Sequence, residues 1–271
     1  MTLDYSIRPA ARPSHRTLAE SLTAVNARQE RVEVRHGMPA TPGWVTCASF
    51  LATPDAFARW RAGLARWLRT EYDESPDQTT AGYVMTWYMT IPAYVAALLF
   101  HHERRVPSLR PADLAFRTAY PRPHPGSIAV LSPGFACLPD DPAAGTPDAL
   151  VVPDETALAG LLRGRYIEHA RRFVDVYGPQ VRFGRHTLFA AATDALDSSL
   201  WQAGRYAGDE GAGVLDAALV LGAREKPLTS GSTLRPGADG WTRRRESCCF
   251  HYLMERGQGE CGTCPRVCPK S

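Results

Sequence analysis

The sequence predicts a mostly helical α+β fold, in which a helical body with a few short strands is followed by a cysteine-rich C-terminal loop. Three observations predict it. Apolar residues recur at helical spacing along much of the 271-residue chain. Short β-branched and aromatic runs bounded by Pro and Gly interrupt that period. Five of the seven cysteines lie between positions 248 and 268. With 44% hydrophobic and 22% charged residues, the chain can bury one substantial core or two smaller ones, which excludes fibrous and disordered classes.

The elements follow in order. Ser14 to Arg31 places Leu18, Leu22 and Val25 on one helical face, with Ser14 as the expected cap. Trp44 to Phe50 reads as a strand behind Pro42-Gly43. Thr53-Pro54-Asp55 then opens a helix whose stripe is Phe57, Trp60, Leu64, Trp67 and Leu68; the two tryptophans are expected to be core residues. Tyr83 to Phe100 is an uncharged run of 18 residues that ends in His101, His102, Glu103, Arg104 and Arg105. Its aromatic rings, Thr86 and Thr90, and Pro92 at its centre predict a buried helix broken at the proline, with no transmembrane span.

Val106 to Pro153 holds ten of the 22 prolines, so strands are expected there only near 128–131 and 149–152. Helical period returns over Arg165–Tyr177, His186–Tyr206 and Val214–Glu225. Three parts result: a body over 1–225, a linker over 226–240 marked by Pro227, Gly231, Pro236, Gly237 and Gly240, and a cysteine-rich segment over 241–271.

Charge is informative only locally. The net formal charge is +3, too small for a nucleic-acid footprint. From Trp241 to Ser271, however, six basic residues face three acidic ones, so the surplus sits with the cysteines. Met1 to Arg12 has no apolar run of the kind a secretory leader carries, and the expected location is cytoplasmic. In that compartment clustered thiols read as metal-binding or redox-active rather than as a disulfide framework.

The cysteine segment contains the adjacent pair Cys248-Cys249, a spacer of eleven residues from Phe250 to Glu260, then Cys261-x-x-Cys264, and Cys268 beyond. Gly257, Gly259 and Gly262 let the backbone wrap closely around an inorganic group, and Pro265 and Pro269 stop any helix. A tetrahedral zinc site would use Cys261 and Cys264 comfortably, but two directly adjacent thiolates strain a single ion. A two-iron cluster offers neighbouring thiolates more directions, and its net negative charge is offset by the basic surplus of the tail. Zinc, a cluster and free or oxidised thiols all remain open on spacing alone.

The Cys-Cys pair followed at a short distance by C-x-x-C at the C-terminal end resembles the FhuF-type ferric-siderophore reductases, whose motif binds a [2Fe-2S] cluster. Gly82 to Val106 is similar to the helical C-terminal part of the IucA/IucC siderophore synthetases. The resemblance implies Cys248, Cys249, Cys261 and Cys264 as cluster ligands, with Cys268 a spare thiol that could substitute for one of them. The spacer is one residue longer here than the family's ten.

It further implies an iron–sulfur oxidoreductase that reduces siderophore-bound Fe(III), most readily of the hydroxamate type, so that Fe(II) is released for iron assimilation. No G-x-G-x-x-G follows a strand, so a nicotinamide or flavin site is not expected and electrons must come from a ferredoxin or a reductase. The alternative is a non-catalytic siderophore-binding or siderophore-assembly protein with structural zinc in the tail. A siderophore synthetase is disfavoured by the short chain and the lack of a phosphate-binding motif.

Other candidates carry less. His251 is expected to hydrogen-bond near the cysteines or face solvent, and His101-His102 to serve structure at a helix end. Arg163, Arg165, Arg171, Arg172, Arg182 and Arg185 form a basic face, tempered by an i,i+4 pairing of Glu168 with Arg172. Cys47 and Cys137 are expected to be buried small hydrophobes.

Overall fold

The computed structural model describes residues 16–238, 240–256 and 262–266. The expected cap Ser14 lies outside them. Helix α1 (Leu18–Asn26) instead starts from Thr17, whose hydroxyl accepts from the Glu20 N–H while the Glu20 carboxylate accepts from the Thr17 N–H, a reciprocal capping box.

Strand β1 (Glu33–His36) runs parallel to β5 (Pro125–Val130). Strand β4 (Leu114–Thr118) pairs antiparallel with β5 and with β2 (Trp44–Thr46), giving the sheet order β1-β5-β4-β2. The expected strand over 44–50 therefore ends at Thr46. The Thr46 hydroxyl accepts from the Ser49 N–H and starts helix α2 (Cys47–Ala52), so a local cap overrides the β-leaning composition.

A second sheet, in the order β3-β6-β7, joins Val106–Pro107, Phe135–Cys137 and Ala149–Val151. Sequence periodicity gave no sign of β1, β3, β4 and β6. They are only two to five residues long and several are buried on both faces, so they show no alternation.

Helix α3 (Ala56–Tyr72) buries Phe57, Trp60, Leu64 and Leu68. Helix α4 (Asp77–Glu103) passes through Pro92 without a break, contrary to expectation. Every residue from Ile91 to Phe100 is buried, and this packing outweighs the one backbone hydrogen bond that proline removes. The helix is long and apolar enough to cross a membrane, yet 78% of its most apolar window is buried in the protein. It is the central helix of the fold.

Around it lie α5 (Glu155–Tyr177), α6 (Arg185–Tyr206) and α7 (Glu210–Leu221), with α4 packed along α6 and α6 along α7. Helix α5 begins before the expected Arg165, with Asp154 as its cap and Leu158, Ala159 and Leu162 extending its buried face; α7 begins before the expected Val214, capped by Asp209, and ends at Leu221 rather than Glu225. Residues 226–240 include strand β8 (Leu234–Gly237), which pairs with β9 (Gly240–Arg243) and delivers the chain to the cysteines.

Candidate metal centre

The cysteine segment is seated on two helices, and polar groups do most of the holding. On α6, Thr193, Asp194 and Asp197 form a buried polar stripe in an otherwise alanine- and leucine-rich face. The approaching chain bonds to it stepwise. The Thr229 N–H donates to the Thr193 hydroxyl (3.0 Å), and Ser232 and Thr233 donate to Asp197 at 2.6–3.1 Å. Burial pushes the Asp197 carboxyl up from its ordinary value, partly countered by the hydroxyls it accepts from.

Asp194 then takes the residues just before the cysteines. It accepts from the N–H groups of Glu246 (2.9 Å) and Ser247 (2.7 Å) and from the Ser247 hydroxyl (2.6 Å). The guanidiniums of Arg243 and Arg245 lie 3.9 Å from its oxygens. A carboxylate only 2% exposed is costly unless its oxygens are occupied, and here they are.

The Cys-Cys pair rests against the first turns of α4. A Cβ at Gly82 would stand 2.9 Å from the Cys249 carbonyl oxygen and 3.0 Å from the Phe250 ring, so only glycine permits this approach. The Thr79 hydroxyl donates to the Phe250 carbonyl (2.7 Å), and the Phe250 ring stacks on Phe183 with centroids 5.0 Å apart. Phe250 adopts a left-handed conformation (φ 59°), and its N–H donates to the Cys248 sulfur at 3.3 Å. His251 is hydrogen-bonded through Nδ1 to the Tyr83 hydroxyl (2.7 Å), in keeping with the role expected of it. Beyond it, Met254 is buried, the Arg256 N–H donates to Glu74, and its guanidinium pairs with Asp73.

The C-x-x-C part returns to the same place. The Arg245 N–H donates to the Thr263 carbonyl (3.1 Å), and Arg244 donates to the Pro265 carbonyl (3.2 Å). Arg266 lies over the Tyr252 ring at 4.1 Å. Cys264 is buried, whereas Cys248 and Cys249 are half-buried. Burial is the main cause raising the Cys248 pKa. The Phe250 N–H lowers it, nearby Cys249 and Cys264 raise it, and Arg245 lowers it. Cys248, Cys249 and Cys264 are thus electrostatic neighbours. Cys261 and Cys268 lie outside the described residues. Among the described residues no three His, Cys, Asp or Glu side chains gather tightly enough to hold one ion.

These residues fit an iron–sulfur group. The described thiols are soft donors, one sulfur already accepts a backbone N–H, and the Arg245 guanidinium stands near Cys248, in keeping with a net-negative cluster. An open cavity of about 290 Å³ adjoins Cys249, lined by Tyr83, Thr86, Trp87, Arg245, Cys249 and His251. A larger cavity, about 620 Å³, lies elsewhere, between α5 and the loops around Arg110 and Asp148, and no cysteine lines it.

The remaining candidates resolve into structure. His101 bonds Asp216 (2.6 Å), which also pairs with Arg104. Burial is the main cause pushing His102 down to about 3. Arg163 reaches Glu225 and Arg165 caps the carbonyls of Val106 and Pro107. Glu168 pairs with Arg171 rather than Arg172. Cys47 and Cys137 are fully buried, and burial pushes their thiols up to about 12 and 11, so neither is a reactive thiolate. Trp60 is a core residue, but Trp67 is only half-buried and carries Arg122 on its face. Asp194 and Gly82 had no place among the expected site residues. Two acids, Asp194 and Asp197, inside an apolar helical run were the one available sign of the first.

Comparison with known proteins bears on the same segment. Residues 245–266 match the family described as FhuF 2Fe-2S C-terminal domain. The matched stretch contains Cys248, Cys249, Cys261 and Cys264 and stops short of Cys268. This segment is an iron–sulfur domain of FhuF type, and its cofactor is a [2Fe-2S] cluster. A search of the curated proteins finds no match to the chain.

Proposed function

We propose that the chain is a ferric-siderophore reductase of the cytoplasm, with Cys248, Cys249, Cys261 and Cys264 as the cluster ligands. The reading is carried by the match of 245–266 to the FhuF 2Fe-2S domain, on a segment whose Cys249 opens onto a cavity instead of being sealed in the core. When bound, a [2Fe-2S] cluster supplies one electron at a time at a potential set by its surroundings. The overall reaction is one-electron: siderophore-bound Fe(III) becomes Fe(II), which the hard oxygen donors hold far less tightly. The electron comes from a low-potential protein donor such as a ferredoxin or a reductase.

The chain's own residues supply the setting. The Phe250 N–H relieves charge on the Cys248 sulfur, and Arg245 stands near enough to offset more of it. Asp194 fixes residues 246 and 247, so the Cys-Cys pair keeps one position on α4. The ferric complex would be of hydroxamate type, the class that the motif resemblance implies.

Single-turnover chemistry tests this. The anaerobically purified protein, reduced with dithionite and freed of excess reductant, is mixed with a ferric trihydroxamate in the presence of a coloured Fe(II) chelator. About one Fe(II) per cluster should appear as the cluster's visible bands return to the oxidised form. A colourless protein holding zinc and no iron would overturn the reading in favour of a structural tail, as would a reduced protein that leaves the ferric complex intact.

A further inference from the structure

We propose that the cavity of about 620 Å³ between α5 and the loops around Arg110 and Asp148 is a second binding site, which takes an elongated small molecule bearing a carboxylate at each end. No cysteine lines it, so the site stands or falls apart from the reductase reading. Its volume lies inside the range of about 300 to 1,000 Å³ that ligand pockets occupy.

Three guanidiniums line the cavity, those of Arg110, Arg165 and Arg172. Arg165 spends one nitrogen on the carbonyls of Val106 and Pro107, at 2.8 and 3.0 Å, and among the described residues no carboxylate forms an ion pair with any of the three. Burial lowers the Arg165 pKa, and the neighbouring charge of Arg110 lowers it further. Two cations thus share a partly desolvated place without an anion between them. A ligand carboxylate would supply it.

The acids of the lining do not cancel this surplus. Glu168 pairs with Arg171, which is not among the lining residues, so its charge is already offset. That leaves Asp113 and Asp148 against the three guanidiniums, and Asp113 already accepts from the Ser108 hydroxyl at 2.5 Å. The balance stays positive.

Position then sets the shape of the occupant. Arg165 and Arg172 stand seven residues apart on α5, which is about two turns and about 10 Å along its axis. Arg110 accompanies Arg165, so anionic groups are called for at two separated points. Leu150, 53% exposed, adds an apolar wall. Methylenes joining two carboxylates match that pattern, because each planar carboxylate fits a guanidinium fork. The cavity's histidine takes no part in chemistry. His169 donates from Nδ1 to the Leu109 carbonyl (2.7 Å), Nε2 is hydrogen-bonded to the Tyr88 hydroxyl (3.2 Å), and burial pushes the ring down to about 4. It has neither a proton nor a lone pair to offer a ligand.

Calorimetry or ligand-detected NMR on the cluster-loaded protein tests the site with three probes. Suberate spans two turns of helix, acetate offers one end only, and pyrophosphate puts phosphate charge in a compact shape. Suberate should bind about five- to tenfold more tightly than acetate. Arg172→Gln should remove that advantage and leave acetate binding as it was, whereas Arg110→Gln should weaken both. Both arginines are exposed, so neither substitution threatens the fold. Arg171→Gln, one position away on α5 but paired with Glu168, should change neither affinity.

Equal loss in Arg171→Gln and Arg172→Gln would reduce the effect to general surface charge and overturn the site. So would suberate binding no tighter than acetate, pyrophosphate binding tighter than suberate, or no binding of any probe. Fe(III) reduction is read at the cluster and is unaffected by any of these results.

Discussion

The C-terminal half of α4 and the cysteine segment that rests on its N-terminal half are held in opposite ways. From Ile91 to Phe100 every side chain is buried, and the position of the helix follows from apolar area removed from water. Residues 243–256 are held chiefly by hydrogen bonds and ion pairs to Asp194, Thr79, Tyr83, Glu74 and Asp73, with Met254 and the Phe250–Phe183 stack as apolar supports. The core therefore tolerates the loss of one contact, because many small contributions share the load. A polar seat concentrates its stability in a few groups, each of which is expensive to orphan once buried.

The strongest way to break this contrast is at the ligands. Cys264→Ser should abolish the cluster's normal visible and EPR signatures while the far-UV circular dichroism of the body stays within error of wild type. Cys268→Ser should keep the cluster nearly intact. Equal loss in the two variants would show that the ligand set is wrong, and a body that unfolds with the cluster would show that the two regions are not separately held.

Next in size is Asp194→Ala. It strips the acceptor from three donors and leaves the Arg243 and Arg245 guanidiniums facing a vacated, buried position, a loss of about 3–5 kcal/mol for broken buried pairs. Proteolysis should cut ahead of Cys248 well before the body is attacked, and cluster content should fall; an unchanged digestion pattern would remove Asp194 from its place as the main latch.

The smallest effect is expected at Gly82→Ala. The added methyl meets the Cys249 carbonyl at 2.9 Å, so the tail must shift at about 1–3 kcal/mol, while the helix itself gains up to about 1 kcal/mol. Helix content should be unchanged, and the cluster should be lost faster to an iron chelator. If loss is no faster, the approach of Cys249 to α4 is not what seats the pair.

The cysteine motif was legible because its information is local: spacing and glycine content within 22 residues describe a ligand loop. Helical period likewise placed α3, α6 and the second half of α5, since burial on one face leaves a regular trace. Three things were hidden. Strands β1, β3, β4 and β6 leave no alternation to read, whereas those near 44–50, 128–131 and 149–152 were expected. The uninterrupted passage of α4 through Pro92 depends on neighbours that surround it completely. Asp194 acts on residues 52 and 53 positions downstream, so nothing in its own neighbourhood announces the partner.

Trp67 illustrates the same limit from the other side. Its spacing from Trp60 placed both on a core-facing stripe, but the loop bearing Arg122 lies over it and turns part of its surface into a wall.

The grip of Asp194 falls on the two residues that precede Cys248 and leaves the sulfurs themselves uncommitted. The residues that moor the segment are therefore not the residues that carry its sulfurs. A change at the latch can thus loosen the berth while every ligand stays in the chain, and a change at one cysteine can remove a ligand while the berth holds.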